Sequence, residues 1–178
     1  MKPTTKQNSV DLGLYLGATL SFITVLFYAV NLDLMMKWWV SLLSLTTVIV
    51  FGVLAAKKAK STLGGFIDFK GAFTNYFITT AIGSGISTIT SIIIFAIIDT
   101  SAAKYLNKLQ LDNSIEFTKK MMKWFNVPEN VMIEEISKLE LNVIDSFSII
   151  TQIKGLIFFL AFLSLIGLIV AAITKKTH

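Results

Sequence analysis

Apolar positions in this chain fall in four long blocks, 12–30, 38–56, 73–98 and 155–173, and almost all of the charge lies between them. Crossing the roughly 30 Å hydrocarbon layer of a bilayer takes about 20 helical residues, and each block is near that length. In lipid the backbone must satisfy its own hydrogen bonds, which leaves helices or closed barrels. The blocks show no alternation of period two, so they do not read as barrel strands. The pattern predicts an all-α polytopic membrane protein forming one membrane domain over 1–178. Its transmembrane helices are expected at about 12–31, 38–56, 73–98 and 153–173. A cytoplasmic elbow should cover 57–72, and a long extracytoplasmic helical insert should cover 99–147.

The segments between the blocks carry their own signals. The first block is too long for an ordinary cleaved leader and reads as a retained anchor. Within it Gly13 and Gly17 are spaced for close helix approach. Trp38 and Trp39 open the second block as an interfacial anchor, since an indole pairs an apolar body with a polar N–H. In the insert, one helix is expected from about Ser101 to Phe125, with a break near Asp112 and Asn113. A second should follow Pro128, with Met132, Ile136, Leu139 and Val143 as an apolar stripe. That stripe would pack on its neighbour or on the bilayer, or form a partner face.

The third block differs from the others. Thr79, Thr80, Gly83, Ser84, Gly85, Ser87, Thr88, Thr90 and Ser91 place small and hydroxyl residues on several faces of one helix. Such a helix is expected at the centre of the bundle. Two readings stand: close packing through small residues, with hydroxyls bonded back to their own helix or across to a neighbour, or a polar cleft lined by Thr80, Gly83, Ser84, Gly85, Ser87, Thr88 and Ser91.

Between the second and third blocks, Gly64 and Gly65 break the helix. Phe66, Phe69 and Phe73 then recur at helical spacing, which predicts an amphipathic turn in the headgroup region with Asp68 and Lys70 directed elsewhere. The segment 65–73 resembles the elbow of a family of small bacterial four-span membrane proteins of unknown function. That pattern runs Gly, aromatic, Ile, Ser, Phe, Gly, polar, Ala, Phe. Ile67, Phe69, Ala72 and Phe73 match it, Asp68 replaces the serine, and Lys70 and Gly71 reverse the usual order. The resemblance implies the same topology and carries over no catalytic residue, cofactor or ligand.

Composition narrows the chemistry. The chain is 54% hydrophobic and 15% charged, against about 25% charged in ordinary soluble domains. There is no cysteine, hence no disulfide or thiolate chemistry. His178, the one histidine, is terminal, and arginine is absent, so arginine clamps are too. No acid, lysine or histidine sits within a block where a proton relay would need one. The net charge of +5 is arranged for a membrane and not for nucleic acid. Lys2, Lys6, Lys57, Lys58, Lys60, Lys70, Lys175 and Lys176 share one side with only Asp11 and Asp68. Lys37 and the lysines of the insert face nine acids on the other. By the positive-inside rule both termini are expected in the cytoplasm of a bacterial cell.

No nucleophile elbow, phosphate loop or metal motif is present. The expectation is therefore a non-enzyme without a cofactor, acting as an accessory or scaffolding subunit of an envelope assembly. Its partners would be the lipid bilayer and an envelope protein or a second copy met through the insert. The alternative is a small transporter or lipid-handling protein using the hydroxyl-rich third span. An enzyme would need Asp99, Asp112 and Glu116 gathered around one cavity.

Overall fold

The computed structural model describes residues 4–176; Lys2 and His178 lie outside the described residues. The chain folds as helices α1 (Thr5–Val30), α2 (Trp38–Thr62), α3 (Phe69–Ser91), α4 (Thr100–Trp124), α5 (Glu129–Leu141) and α6 (Ile149–Thr174). A 3-10 turn, Leu32–Met36, joins α1 to α2, and α3 continues as a π-helical segment, Ile92–Ile98. The fold is all-α, and α1, α2, α6 and α3 with its π extension are long and apolar enough to cross a membrane.

Several helices extend past their apolar blocks because polar residues find partners there. The Thr4 hydroxyl caps the Gln7 amide at 3.2 Å, so α1 begins seven residues before Leu12. In that added turn Asn8 and Ser9 are buried. The Ser9 hydroxyl donates to Asn75 Oδ1 (2.6 Å), the Thr79 hydroxyl to the Ser9 carbonyl (2.8 Å), and Asn8 Nδ2 to Thr62 Oγ1 (3.2 Å). These bonds tie α1, α3 and α2 together at the lysine-rich end. Bonds of this kind contribute on average about 0.6 kcal/mol each in lipid.

The elbow is tighter than an amphipathic surface turn. Gly64 and Gly65 have φ of +75° and +92°, and the Gly65 amide reaches back to the Lys60 carbonyl at 2.9 Å, a left-handed cap that stops α2. Asp68 then caps α3 through the Gly71 amide (3.0 Å). Since α3 starts at Phe69, Phe66 precedes the helix and shares no helical face with Phe69 and Phe73. Ile67 instead exchanges two backbone hydrogen bonds with Lys176 (3.0 and 2.9 Å), and the Lys176 ammonium sits 5.4 Å from the centre of the Phe66 ring. Lys60 Nζ donates to the Thr174 carbonyl (2.9 Å), so the end of α6 is fastened to the elbow.

Helix α3 packs against α1, α2 and α6, and Leu16 and Leu20 of α1 share an apolar cluster with Val48 of α2 and Leu163 of α6. In lipid, van der Waals fit takes the place of hydrophobic drive, and glycine allows close approach. Ile82 and Ile86 of α3 sit where side chains on Gly13 and Gly17 would be, and Leu16 of α1 fills the space over Gly83. The Gly13 and Gly17 pair is thus used within the chain. Tyr76 is fully buried, with its ring between Gly52 of α2 and Gly167 of α6.

The insert departs from expectation in two places. Helix α4 runs unbroken through Asp112 and Asn113, and α5 ends at Leu141, before Val143. Met132, Ile136 and Leu139 are half-buried, while Val143 lies beyond the helix and is exposed. Ala102, Ala103 and Leu106 of α4 pack on the 3-10 turn and the π segment. Asp99 accepts from the Ser101 hydroxyl (2.5 Å), the Ala102 amide (2.9 Å) and the Tyr28 hydroxyl (2.9 Å), joining α4 to α1.

Candidate functional site

Where α3 passes from its middle toward the insert, Ser84, Ser87, Thr88 and Ser91 fall at positions i, i+3, i+4 and i+7. That spacing puts the four hydroxyls on one helical face. The lysine-rich half of α3 is closed by Leu16, Ile82, Ile86 and Tyr76, but beyond them the bundle opens on this face. Two adjoining cavities result. The one nearer the insert has a volume of about 330 Å³ and is walled by Thr24 and Met35, by Ser87, Thr88 and Ser91, and by Gln152, Gly155, Leu156 and Phe159 of α6. The deeper one, of about 150 Å³, is walled by Leu20, Thr24, Ser44, Val48, Ser84, Ser87, Thr88 and Phe159. Thr24, Ser87, Thr88 and Phe159 line both, so they form one cleft.

The hydroxyls that α3 presents to this cleft differ in their bonding from others in the bundle, including Thr24 on the opposite wall, which donates to the Leu20 carbonyl at 3.1 Å. Thr19, Thr47, Thr90 and Ser164 each donate to the carbonyl four residues earlier, at 2.8–3.1 Å. This is the usual way for a hydroxyl to be satisfied in a membrane helix. Ser84 does not do so. Its residue is only 4% exposed, and its Oγ finds no hydrogen-bond partner among the described residues. Ser44, Ser87, Thr88 and Ser91, each half-buried, also show no side-chain hydrogen bond among the described residues. At the insert end Gln152 Nε2 donates to the Phe147 carbonyl (2.7 Å), which fixes the amide while leaving its oxygen free to accept. No ionisable side chain lines the cleft. It can hold an uncharged group by hydrogen bonds along α3, with mostly apolar walls opposite to which α1, α2 and α6 add Thr24, Ser44 and Gln152.

The residues singled out in the third block divide along the helix. Ser84, Ser87, Thr88 and Ser91 come together in the cleft. Thr80 does not: it is fully buried lower down, with its hydroxyl turned to the Phe77 carbonyl (3.2 Å) and its methyl against Gly52. Gly83 receives Leu16, and Gly85 faces open space. The elbow residues Gly64, Gly65, Phe66, Ile67, Phe69, Ala72 and Phe73 all lie at the opposite end. Ala72 and Ile67 are buried there with Ala59 and Ala171.

The outer acids are not gathered. Asp99 caps α4, while Asp112 and Glu116 lie on α4 thirteen and more residues later, about 20 Å along its axis. Glu116 pairs with Lys120 at 2.6 Å. Among the described residues no three acids or histidines stand close enough to hold a metal.

The contributions of Thr24, Ser44 and Gln152 to the cleft were not legible in the sequence, because they lie on three different helices and no local spacing links them. Asn75 and Tyr76 carry a sequence signal of their own, an amide and a phenol side by side in an apolar block.

The chain matches the family described as "Protein of unknown function (DUF4199)" over residues 11–176. No curated protein and no solved structure matches it.

Proposed function

This chain belongs to the DUF4199 family of proteins of unknown function, and from that premise, which brings no activity with it, we propose that it is a non-catalytic membrane protein that holds an uncharged molecule in the cleft of α3. The observation that carries this reading is the Ser84 hydroxyl, buried in the cleft wall without a partner. An unmade hydrogen bond at a buried polar group costs about 1–3 kcal/mol. Ser84 lines the deeper cavity, and a rotamer change would bring its hydroxyl to an acceptor bound there; the other buried hydroxyl without a partner among the described residues, that of Tyr76, lines neither cavity. The lack of ionisable groups along the cleft favours binding over acid–base chemistry. In this reading the lysine-rich end lies in the cytoplasm and the insert outside, as the positive-inside rule supports.

Native mass spectrometry of the protein released from lipid nanodiscs tests the reading. The wild type should carry a bound small molecule, and Ser84→Ala combined with Thr88→Val should reduce its occupancy at least tenfold. A wild type with no adduct, or an adduct undiminished in the variant, would overturn it.

A second reading keeps the protein as an accessory or scaffolding subunit. It is favoured by α5, which buries none of its residues and packs on α4 alone, leaving Ile133, Leu141 and Ile144 exposed around it. Crosslinking in native membranes followed by extraction in mild detergent should then capture a partner or a second copy through the insert. A strictly monomeric, unlinked protein removes this reading.

A further inference from the structure

Resting on the cleft reading above, we propose that the cleft takes a neutral amphiphile, an uncharged glycerol-ester or alcohol head group on a single hydrocarbon chain. Three features of the cleft select this class.

The first is charge. No ionisable side chain lines either cavity, and an ion held inside a membrane bundle without a counter-charge is strongly disfavoured. A carboxylate, phosphate or ammonium head is therefore excluded.

The second is polarity and shape. The hydroxyl strip from Ser84 to Ser91 covers seven residues, about 10 Å of helix. Ser84, buried and unpartnered, is a hydroxyl in need of an acceptor, and ester, ether and hydroxyl oxygens supply one. Facing the strip are Leu20, Val48, Leu156 and Phe159, with Thr24, Ser44 and Gln152 among them. The α3 wall thus offers hydroxyls, and the opposite wall is mostly hydrocarbon. The larger cavity, about 330 Å³, is many times the roughly 30 Å³ that one water occupies in the liquid, and has room for a glyceryl ester head.

The third is Gly155. It lines the larger cavity, and a side chain added there would meet nothing within 4 Å. Gly155 is exposed, and the open space beside it adjoins the mouth of the larger cavity. A large residue at this position should occupy the site without disturbing the packing.

The test uses the full chain in nanodiscs and a photoactivatable monoacylglycerol. A photoactivatable fatty acid and a lysophosphatidylglycerol of the same chain length are run in parallel. The monoacylglycerol should label peptides from α3 or α6 around Ser84, Ser91 and Gly155, at least tenfold more than either anionic probe. Gly155→Phe and Ser84→Ala should each lower that labelling at least fivefold, while Gly85→Ala, also in open space but outside the cleft, should leave it unchanged. Thermal unfolding of each variant confirms that it remains folded. Equal or stronger labelling by an anionic probe overturns the proposal. So does full competition by free glycerol, which would make the ligand a water-soluble polyol. An adduct in native mass spectrometry that depends on Ser84, with no monoacylglycerol labelling, overturns this ligand class and leaves the cleft reading standing. Loss of both removes both.

Discussion

Tyr76 sits in a slot made by the absence of two side chains. A Cβ on Gly52 would lie 2.5 Å from its ring and one on Gly167 2.7 Å, distances at which something must shift. Gly52→Val or Gly167→Val should therefore destabilise the bundle by about 1–3 kcal/mol, the usual range for overpacking. Thermal unfolding in detergent would show it as a lowered midpoint. Gly85→Ala, with nothing nearby, should leave the midpoint almost unchanged.

Asp99 makes a pH-dependent contact. The Ser101 hydroxyl, then the Ala102 amide and the Tyr28 hydroxyl, hold its carboxyl below the ordinary range. A carboxylate with a lowered folded-state pKa adds stability above its unfolded value. That contribution disappears as pH falls through the folded pKa. Acidification below the normal carboxylate range should thus speed amide exchange in the first turn of α4, and Asp99→Ala, which removes the cap acceptor, should show faster exchange already at neutral pH. Exchange in that turn that is independent of both would mean that the cap is not what holds α4.

The elbow is an element whose glycines are required for dihedral reasons. No atom lies within 4 Å of a side chain built on Gly64 or Gly65, yet both backbones are left-handed. A left-handed backbone costs other residues roughly 1–2 kcal/mol. Gly65→Val should lower the thermal midpoint, and Gly65→Asn should lower it less, because asparagine tolerates this conformation. Equal effects of the two would assign the penalty to side-chain bulk. At the other end of α3, the π segment Ile92–Ile98 widens the helix directly above Ser91. Single π turns inside helices are frequent at functional sites, and here the widened turn adjoins the insert end of the cleft.

For the molecule as a whole, the bundle has a lysine-rich end closed by hydrogen bonds and an insert end that is open and capped by α4. The chain lacks cysteine, so one introduced thiol reports its own side of the membrane. Ser61→Cys near the elbow and Ser114→Cys on α4 should react with a membrane-impermeant maleimide from opposite faces of sealed vesicles. In right-side-out vesicles only Ser114→Cys should label. Labelling of both from one face would refute the four-span topology.

The four apolar helices, the central place of α3 and the family resemblance at Ile67, Phe69, Ala72 and Phe73 could be read from the sequence. Each rests on run length or local spacing, and lipid allows few alternatives for a long apolar run. The division of α3 was decided by tertiary structure alone. Thr80 and Ser84 are four residues apart and chemically alike, yet one is packed against Gly52 and the other lines a cleft. What separates them is whether a neighbouring helix presents a glycine, a tyrosine or open space at that height. Nothing within α3 encodes that choice. The burial of Asn8 and Ser9, the pairing of Ile67 with Lys176 and the gathering of Thr24, Ser44 and Gln152 depend on the same fact. The periodicity of a helix determines which of its residues share a face, and only the assembled bundle determines what that face meets.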